Sequence, residues 1–164
     1  WYTQNMKITI VCVGKIKEKF YRDAVEEYKK RLGRYCKMQI VEVADEKTPD
    51  SAGEALEEQI KKKEASRILK YIKEDAFLFT LEIQGKQYDS VELSERLEKL
   101  MTMGKSHIQF VIGGSLGLHE SVTKRADEAI SFSRMTFPHQ LMRVILLEQI
   151  YRSFRILSGE PYHK

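Results

Sequence analysis

Between Phe110 and Val122 the chain reads FVIGGSLGLHESV, with glycines at 113, 114 and 117. An apolar run that enters a glycine-rich loop and leaves it as a polar, helix-forming segment can bring backbone N–H groups against a nucleotide. Glycine allows both the close approach and positive φ. The two familiar phosphate-binding templates do not fit. One needs glycines at relative positions 1, 3 and 6, and here they fall at 1, 2 and 5; the other ends in Gly-Lys-Ser/Thr, and here Leu118 and His119 follow Gly117. A flat adenine or a ribose could lie on such a loop, and a ligand-free strand-to-helix turn would read the same way.

A second segment, SFSRMTF at 131–137, offers hydroxyls from Ser131, Ser133 and Thr136. Pro138 follows, suited to a first helical position because its missing N–H would be unpaired there. Leu141, Val144, Leu147, Tyr151 and Phe154 then recur at three and four, and Ile145, Leu146 and Ile150 widen the stripe. A helix apolar over so much of its surface is buried in its own core or against a partner, and a large apolar interface would suggest a homodimer. Glu148 within it reads as an i,i+4 partner of Arg152. His107, His119, His139 and His163 show no metal-ligand spacing, and no metal is expected. Cys12 lies in an apolar strand and reads as a small core residue.

The elements that must hold these segments alternate. Strands are expected at Met6–Val13, Met38–Val43, Ala76–Ile83 and His107–Ile112. Between them the spacing predicts helices: one with Phe20, Ala24, Tyr28 and Leu32 inward and Gly33 at its C-cap, one over Glu54–Lys73 with Leu56, Ile60, Ile68 and Ile72, and one with Leu93, Leu97 and Leu100 capped by Ser90. Gly85 is expected to turn the third strand. A further helix is expected near Glu120–Ile130 and a last one after Pro138. The lysines at 61–63 read as a solvated helix face. Nearly all-apolar strands alternating with helices indicate an α/β single domain, a mostly parallel sheet with helices on both faces. Such sheets bind ligands outside the carboxyl ends of their strands, where the loops after Val13, Val43, Ile83 and Ile112 should meet.

The bulk numbers are compatible. A chain of 164 residues suits one domain, and 42% hydrophobic with 32% charged residues is an ordinary globular balance. No apolar run approaches the roughly 20 residues of a membrane helix, so no membrane association is expected. Residues 1–5 read as a remnant ahead of a natural start at Met6, and no secretory leader is visible, which points to the cytoplasm. A net charge of +4 permits an anionic partner such as RNA without requiring one.

Taken together, IGGSLGLHESV, ISFSRMTFPHQLMRVILLEQIYRSFRI, the terminal PYHK, the opening MKITIVCVGKIKEKF and TLEIQGK at Thr80–Lys86 resemble the small single-domain SPOUT methyltransferases. More narrowly, they resemble those that methylate N3 of a pseudouridine in large-subunit (23S) ribosomal RNA. The likeness runs from Met6 to Lys164. It implies S-adenosylmethionine as cofactor, a C-terminal trefoil knot and a homodimer acting on ribosomal RNA or the assembled ribosome. Sequence physics alone would argue against a knot, because threaded chains are rare. Carried over by motif, the cofactor contacts are Leu81, Gly113 and Phe132, Ser133, Arg134, Met135, Thr136 and Phe137, with Gly117 a weaker candidate.

The implied reaction removes the imide proton from N3 and brings the nitrogen in line with a sulfonium methyl, which calls for positioning and a base. The resemblance places the tail Tyr162-His163-Lys164 near the cofactor: His163 could take the proton and Tyr162 could stack on the base. A frayed terminus is the alternative. Arg143 could stabilise the developing anion or hold a phosphate, or be a solvent-facing helix charge. His139 ranks below His163. Lys15, Lys17, Lys19, Arg34, Lys37, Arg152 and Arg155 are compatible with RNA contacts. The competing readings are a non-enzymatic RNA-binding protein and a binder of another nucleotide on a flavodoxin-like sheet.

Overall fold

A computed structural model describes residues 6–162. The expected remnant at 1–5 and the tail residues His163 and Lys164 lie outside that range. The elements alternate as β1 (Lys7–Val13), α1 (Lys19–Leu32), β2 (Lys37–Val43), α2 (Glu54–Leu69), β3 (Phe77–Gln87), α3 (Ser90–Thr102), β4 (His107–Ile112), α4 (Glu120–Arg125), β5 (Glu128–Ser131) and α5 (His139–Leu157). Among the described residues five strands form one sheet in the order β2-β1-β4-β3-β5, and every pairing is parallel.

Period-two alternation in β1 sends Ile8, Ile10 and Cys12 to one face, where they join Leu32 of α1, Leu97 of α3, and Leu147 and Phe154 of α5. Val11 and Val13 point the other way, toward Ala65 and Ile68 of α2 and Val122 of α4. Helices therefore cover both faces, as expected for a buried parallel sheet. Phe79 and Phe110 stack across the β3–β4 pair with ring centroids 5.0 Å apart. Cys12 and Cys36 are free, buried thiols whose pKa is pushed up to about 12 by desolvation.

Several expected boundaries move. The residues α1 turns inward are Tyr21, Val25, Tyr28 and Leu32, and Phe20 is 64% exposed. Strict spacing by four drifts about 40° around a helix at each step, so a run of three such steps leaves the buried face. Leu56 of α2 is likewise exposed. α2 stops at Leu69 rather than Lys73, and the Gln109 side chain receives Lys73 N–H and donates to Tyr71 O, both at 2.8 Å. Asp89, not Ser90, caps α3: it accepts from Glu92 N while Glu92 accepts from Asp89 N, a reciprocal capping box. Ser90 Oγ instead donates to Gln149 on α5 at 2.7 Å.

The helix expected over Glu120–Ile130 ends at Arg125, and Glu128–Ser131 forms β5 on the edge beside β3. Asp127 makes this switch. Its N–H donates to Leu78 O and its carboxylate accepts Leu78 N–H, both at 2.8 Å, clasping the new strand to β3. β3 itself does not end at Gly85. Leu81 and Lys86 both align with Ile130, so residues 82–85 bulge out of the ladder and β3 continues to Gln87. A Cβ on Gly85 would stand 2.7 Å from the backbone of Ala129 and Ile130, so only glycine lets the bulge lie against β5.

Candidate active site

The carboxyl ends of β3, β4 and β5 and the loops that leave them enclose a cavity of about 380 Å³. That volume falls in the usual range for small-molecule sites. Its floor is the glycine loop. Gly113 packs so tightly that a Cβ would meet the Leu118 side chain at 2.9 Å, and one on Gly114 would stand 3.2 Å from Glu64 Oε1 and from a Val13 methyl. Gly117 has φ +85° with open space beside it, so its requirement for glycine comes from the backbone alone. Glu64, buried beneath the loop, accepts Glu46 N–H at 3.0 Å, and its burial raises its pKa. His119 anchors the far end: its Nδ1 accepts Ser121 N–H at 3.1 Å as the cap of α4, while Nε2 faces Glu58 at 3.1 Å.

The opposite wall is the 131–137 loop. Two of its hydroxyls build the loop itself: Ser131 Oγ donates to Ser133 O at 3.0 Å, and Ser133 Oγ accepts Met135 N–H at 2.9 Å. Leu81, Gly113, Phe132, Ser133, Met135, Thr136 and Phe137 all line the cavity, and so does Gly117. Met135 is 73% exposed at its rim. Arg134 is exposed and is not among the lining residues. Apolar walls suited to a flat ring, loop hydroxyls and a glycine floor fit a nucleoside-bearing cofactor.

The residues expected to do chemistry are dispersed. Arg143 is 1% exposed, which removes the solvent-facing reading. Its Nη1 donates to Glu42 at 2.7 Å, and its Nη2 donates to Val13 O at 3.1 Å and Gly14 O at 2.7 Å. It therefore ties the first turns of α5 to the ends of β1 and β2. It also lines a second cavity of about 550 Å³ with Lys15, Arg22 and Lys29. Tyr162 does not line the first cavity. Its hydroxyl donates to the Glu148 carboxylate, its ring meets Tyr151 edge-on at 5.1 Å, and its pKa is pushed up to about 12, first by burial and then by Glu148. Glu148 also receives Arg152 Nε at 3.0 Å, the pairing the helix spacing predicts. His163 lies outside the described residues. Of the basic residues considered for RNA, Arg34 and Arg155 pair with Glu160, Arg152 with Glu148, and Lys19 with Asp23.

Three lining residues had no role in the sequence reading: Glu82, Ile83 and Met142. Glu82 sits beside the quoted Leu81, but a regular strand gave no reason to aim it into a pocket. His139, ranked low by sequence, also lines the cavity. Burial first, and the Arg143 charge second, hold its imidazole below the ordinary 6.5. Among the described residues no group of three His, Cys, Asp or Glu could hold a metal ion, and no helix is long and apolar enough to cross a membrane.

Comparison with known proteins adds three observations. A family model described as "Predicted SPOUT methyltransferase" matches residues 6–163. "Ribosomal RNA large subunit methyltransferase H" of Bifidobacterium adolescentis is 63% identical over 159 residues, covering 97% of this chain and 100% of that protein. The protein of the same name from Bifidobacterium animalis subsp. lactis is 58% identical over the same shares. A solved structure, "a probable methylase family protein from Haemophilus influenzae Rd KW20", superposes with a TM-score of 0.53 at 14% identity, covering 98% of this chain and 70% of that one, a likeness of fold.

Proposed function

Because the chain belongs to the SPOUT methyltransferase family, we propose that it transfers a methyl group from S-adenosylmethionine to N3 of a pseudouridine in large-subunit ribosomal RNA. The supporting observation is the single cavity in which Gly113 of the glycine loop faces Phe132 and Phe137 across the ends of three strands. When bound there, S-adenosylmethionine supplies an electrophilic methyl on a sulfonium. Leu81, Gly113, Phe132, Ser133, Met135, Thr136 and Phe137, which line the cavity, would hold it; Arg134, outside the lining, would not. The apolar walls exclude water from the reacting centre, and the rigid loops fix the approach of the acceptor nitrogen, the largest share of the work in a displacement of this kind.

The N3 proton must leave, and His163 is the base we assign; Tyr162, the preceding residue in the sequence, would stack on the target ring after giving up its bond to Glu148. Arg143 acts by placement: it locks the start of α5, and with it the loop before Pro138, onto β1 and β2. We read the 113–137 connections as the trefoil knot of the family. The half-buried Leu141 and Ile145 on α5 belong to neither core cluster, and they support a homodimer in which a second copy covers them. Lys15 and Lys17 at the carboxyl edge supply phosphate contacts, and the cytoplasm is the compartment that holds this substrate.

The test is methyl transfer in vitro. The chain is incubated with S-adenosylmethionine carrying a labelled methyl and with ribosomes, large subunits or free ribosomal RNA that lack the modification. Nuclease digestion and mass spectrometry then locate the label. Label on N3 of a large-subunit pseudouridine supports the proposal; no label in any RNA, or label on another atom, overturns it.

A further inference from the structure

We propose that Glu82 is a ribose-binding residue, its carboxylate accepting hydrogen bonds from the vicinal diol of the nucleoside-bearing methyl donor. This rests on the donor-binding reading above and adds to it a residue that determines which donors fit.

The bulge in β3 is the first observation. With Leu81 and Lys86 both set against Ile130, residues 82–85 leave the ladder, and Glu82 and Ile83 join the lining of the cavity. Gly85 presses the back of the bulge onto β5 with no room for a side chain, so the projection is held from behind. Bulges beside binding sites can serve to end strand pairing, as this one does for residues 82–85.

The second observation is how the carboxylate is held. Thr80, fully buried, donates its hydroxyl to Glu82 Oε2 at 2.6 Å. Oε1 meets no protein donor among the described residues. No lysine or arginine lines the cavity, and Glu82 supplies its only carboxylate. An ionised carboxylate only accepts hydrogen bonds. A buried hydroxyl that fixes its rotation matters for a directional partner and not for a diffuse positive charge. Two adjacent hydroxyls are such a partner, and acidic side chains bind ribose diols in this way on other nucleotide-binding sheets.

The experiment is calorimetric titration of the full chain and of its Glu82→Gln and Thr80→Val variants with three ligands: S-adenosylmethionine, S-adenosylhomocysteine and 5′-methylthioadenosine. All three carry the ribose, the second lacks the sulfonium charge, and the third lacks the amino-acid end as well. Glu82→Gln should weaken all three equally, by about tenfold or more, as expected for a hydrogen bond to a charged acceptor. Thr80→Val, which keeps the side-chain shape, should weaken all three by a smaller common factor. Melting without ligand shows whether each variant is folded. A loss confined to S-adenosylmethionine would make Glu82 a partner of the sulfonium, and a loss that spares methylthioadenosine would place it at the amino-acid end. Either result, or unchanged affinity, overturns the proposal. If the unaltered chain binds none of the three ligands, the donor-binding reading falls first. If it binds them and Glu82→Gln changes nothing, only the role of Glu82 is lost.

Discussion

Arg143 on α5 and Glu42 at the end of β2 meet at 2.7 Å, with the guanidinium fully buried and also bonded to the carbonyls of Val13 and Gly14. A charge this deep is tolerated only because it is paired and hydrogen-bonded.

Breaking that pair should cost stability more than it alters chemistry directly. Arg143→Met removes the guanidinium from two carbonyls and leaves Glu42 with only Ile16 N–H, and it should destabilise the fold by about 3 kcal/mol. Glu42→Gln, at a side chain about one-third exposed, should cost less, about 1–2 kcal/mol. Urea denaturation measures both. A variant at Arg143 with full stability would refute the tie between α5 and the first two strands.

Gly85 and Gly117 should respond differently to alanine. At Gly85 the new Cβ meets backbone at 2.7 Å, so β3 and β5 must separate. The expected loss is about 2–3 kcal/mol, with a distorted pocket. At Gly117 nothing lies nearby and only the positive φ is strained, so about 1–2 kcal/mol should be lost. Thermal melts of the two variants give the order.

Stability should fall as pH drops below about 6.5. His139 and His107 both have a folded-state pKa lowered from 6.5, each chiefly by burial. Above that value neither state binds the proton. Below it the unfolded chain binds more protons than the folded one, so acid favours unfolding until the folded-state values are passed. Each histidine contributes at most about 1.4 kcal/mol per pH unit. His139→Asn should flatten part of the dependence below pH 6.5, and a further His107→Asn should flatten more; an unchanged profile would contradict the burial of these rings.

Cys12 and Cys36 should be inert toward a thiol reagent in the native protein at pH 8 and both should react in denaturant. Their thiols are buried and held protonated. A fast native reaction at either would show that the segment around it opens readily.

Four of the five strands and the covering helices were legible because short β-branched, largely apolar segments, three of the four followed closely by glycine, are a strong local signal. β5 was not: Glu128–Ser131 is too short to show a period, and it is a strand only because Asp127 bonds to Leu78, 49 residues earlier in the chain. The glycine loop and the 131–137 loop were visible as motifs, but their meeting was not, since nothing local tells two loops that they share a wall. The burial of Arg143 was hidden for the same reason: helix spacing cannot announce a carboxylate on a distant strand. Glu82 was missed because a bulge is specified by the fit of Gly85 against β5, a contact between segments.

That clasp between Asp127 and Leu78 has a bearing on synthesis. A nascent chain that has emerged only as far as the glycine loop after β4 carries Leu81 and Gly113 but has no far wall, because the 131–137 loop has yet to appear and β5 is not docked. Such a chain should be blind to the methyl donor. Donor binding by ribosome-stalled fragments of increasing length would therefore register the moment at which the last strand locks in.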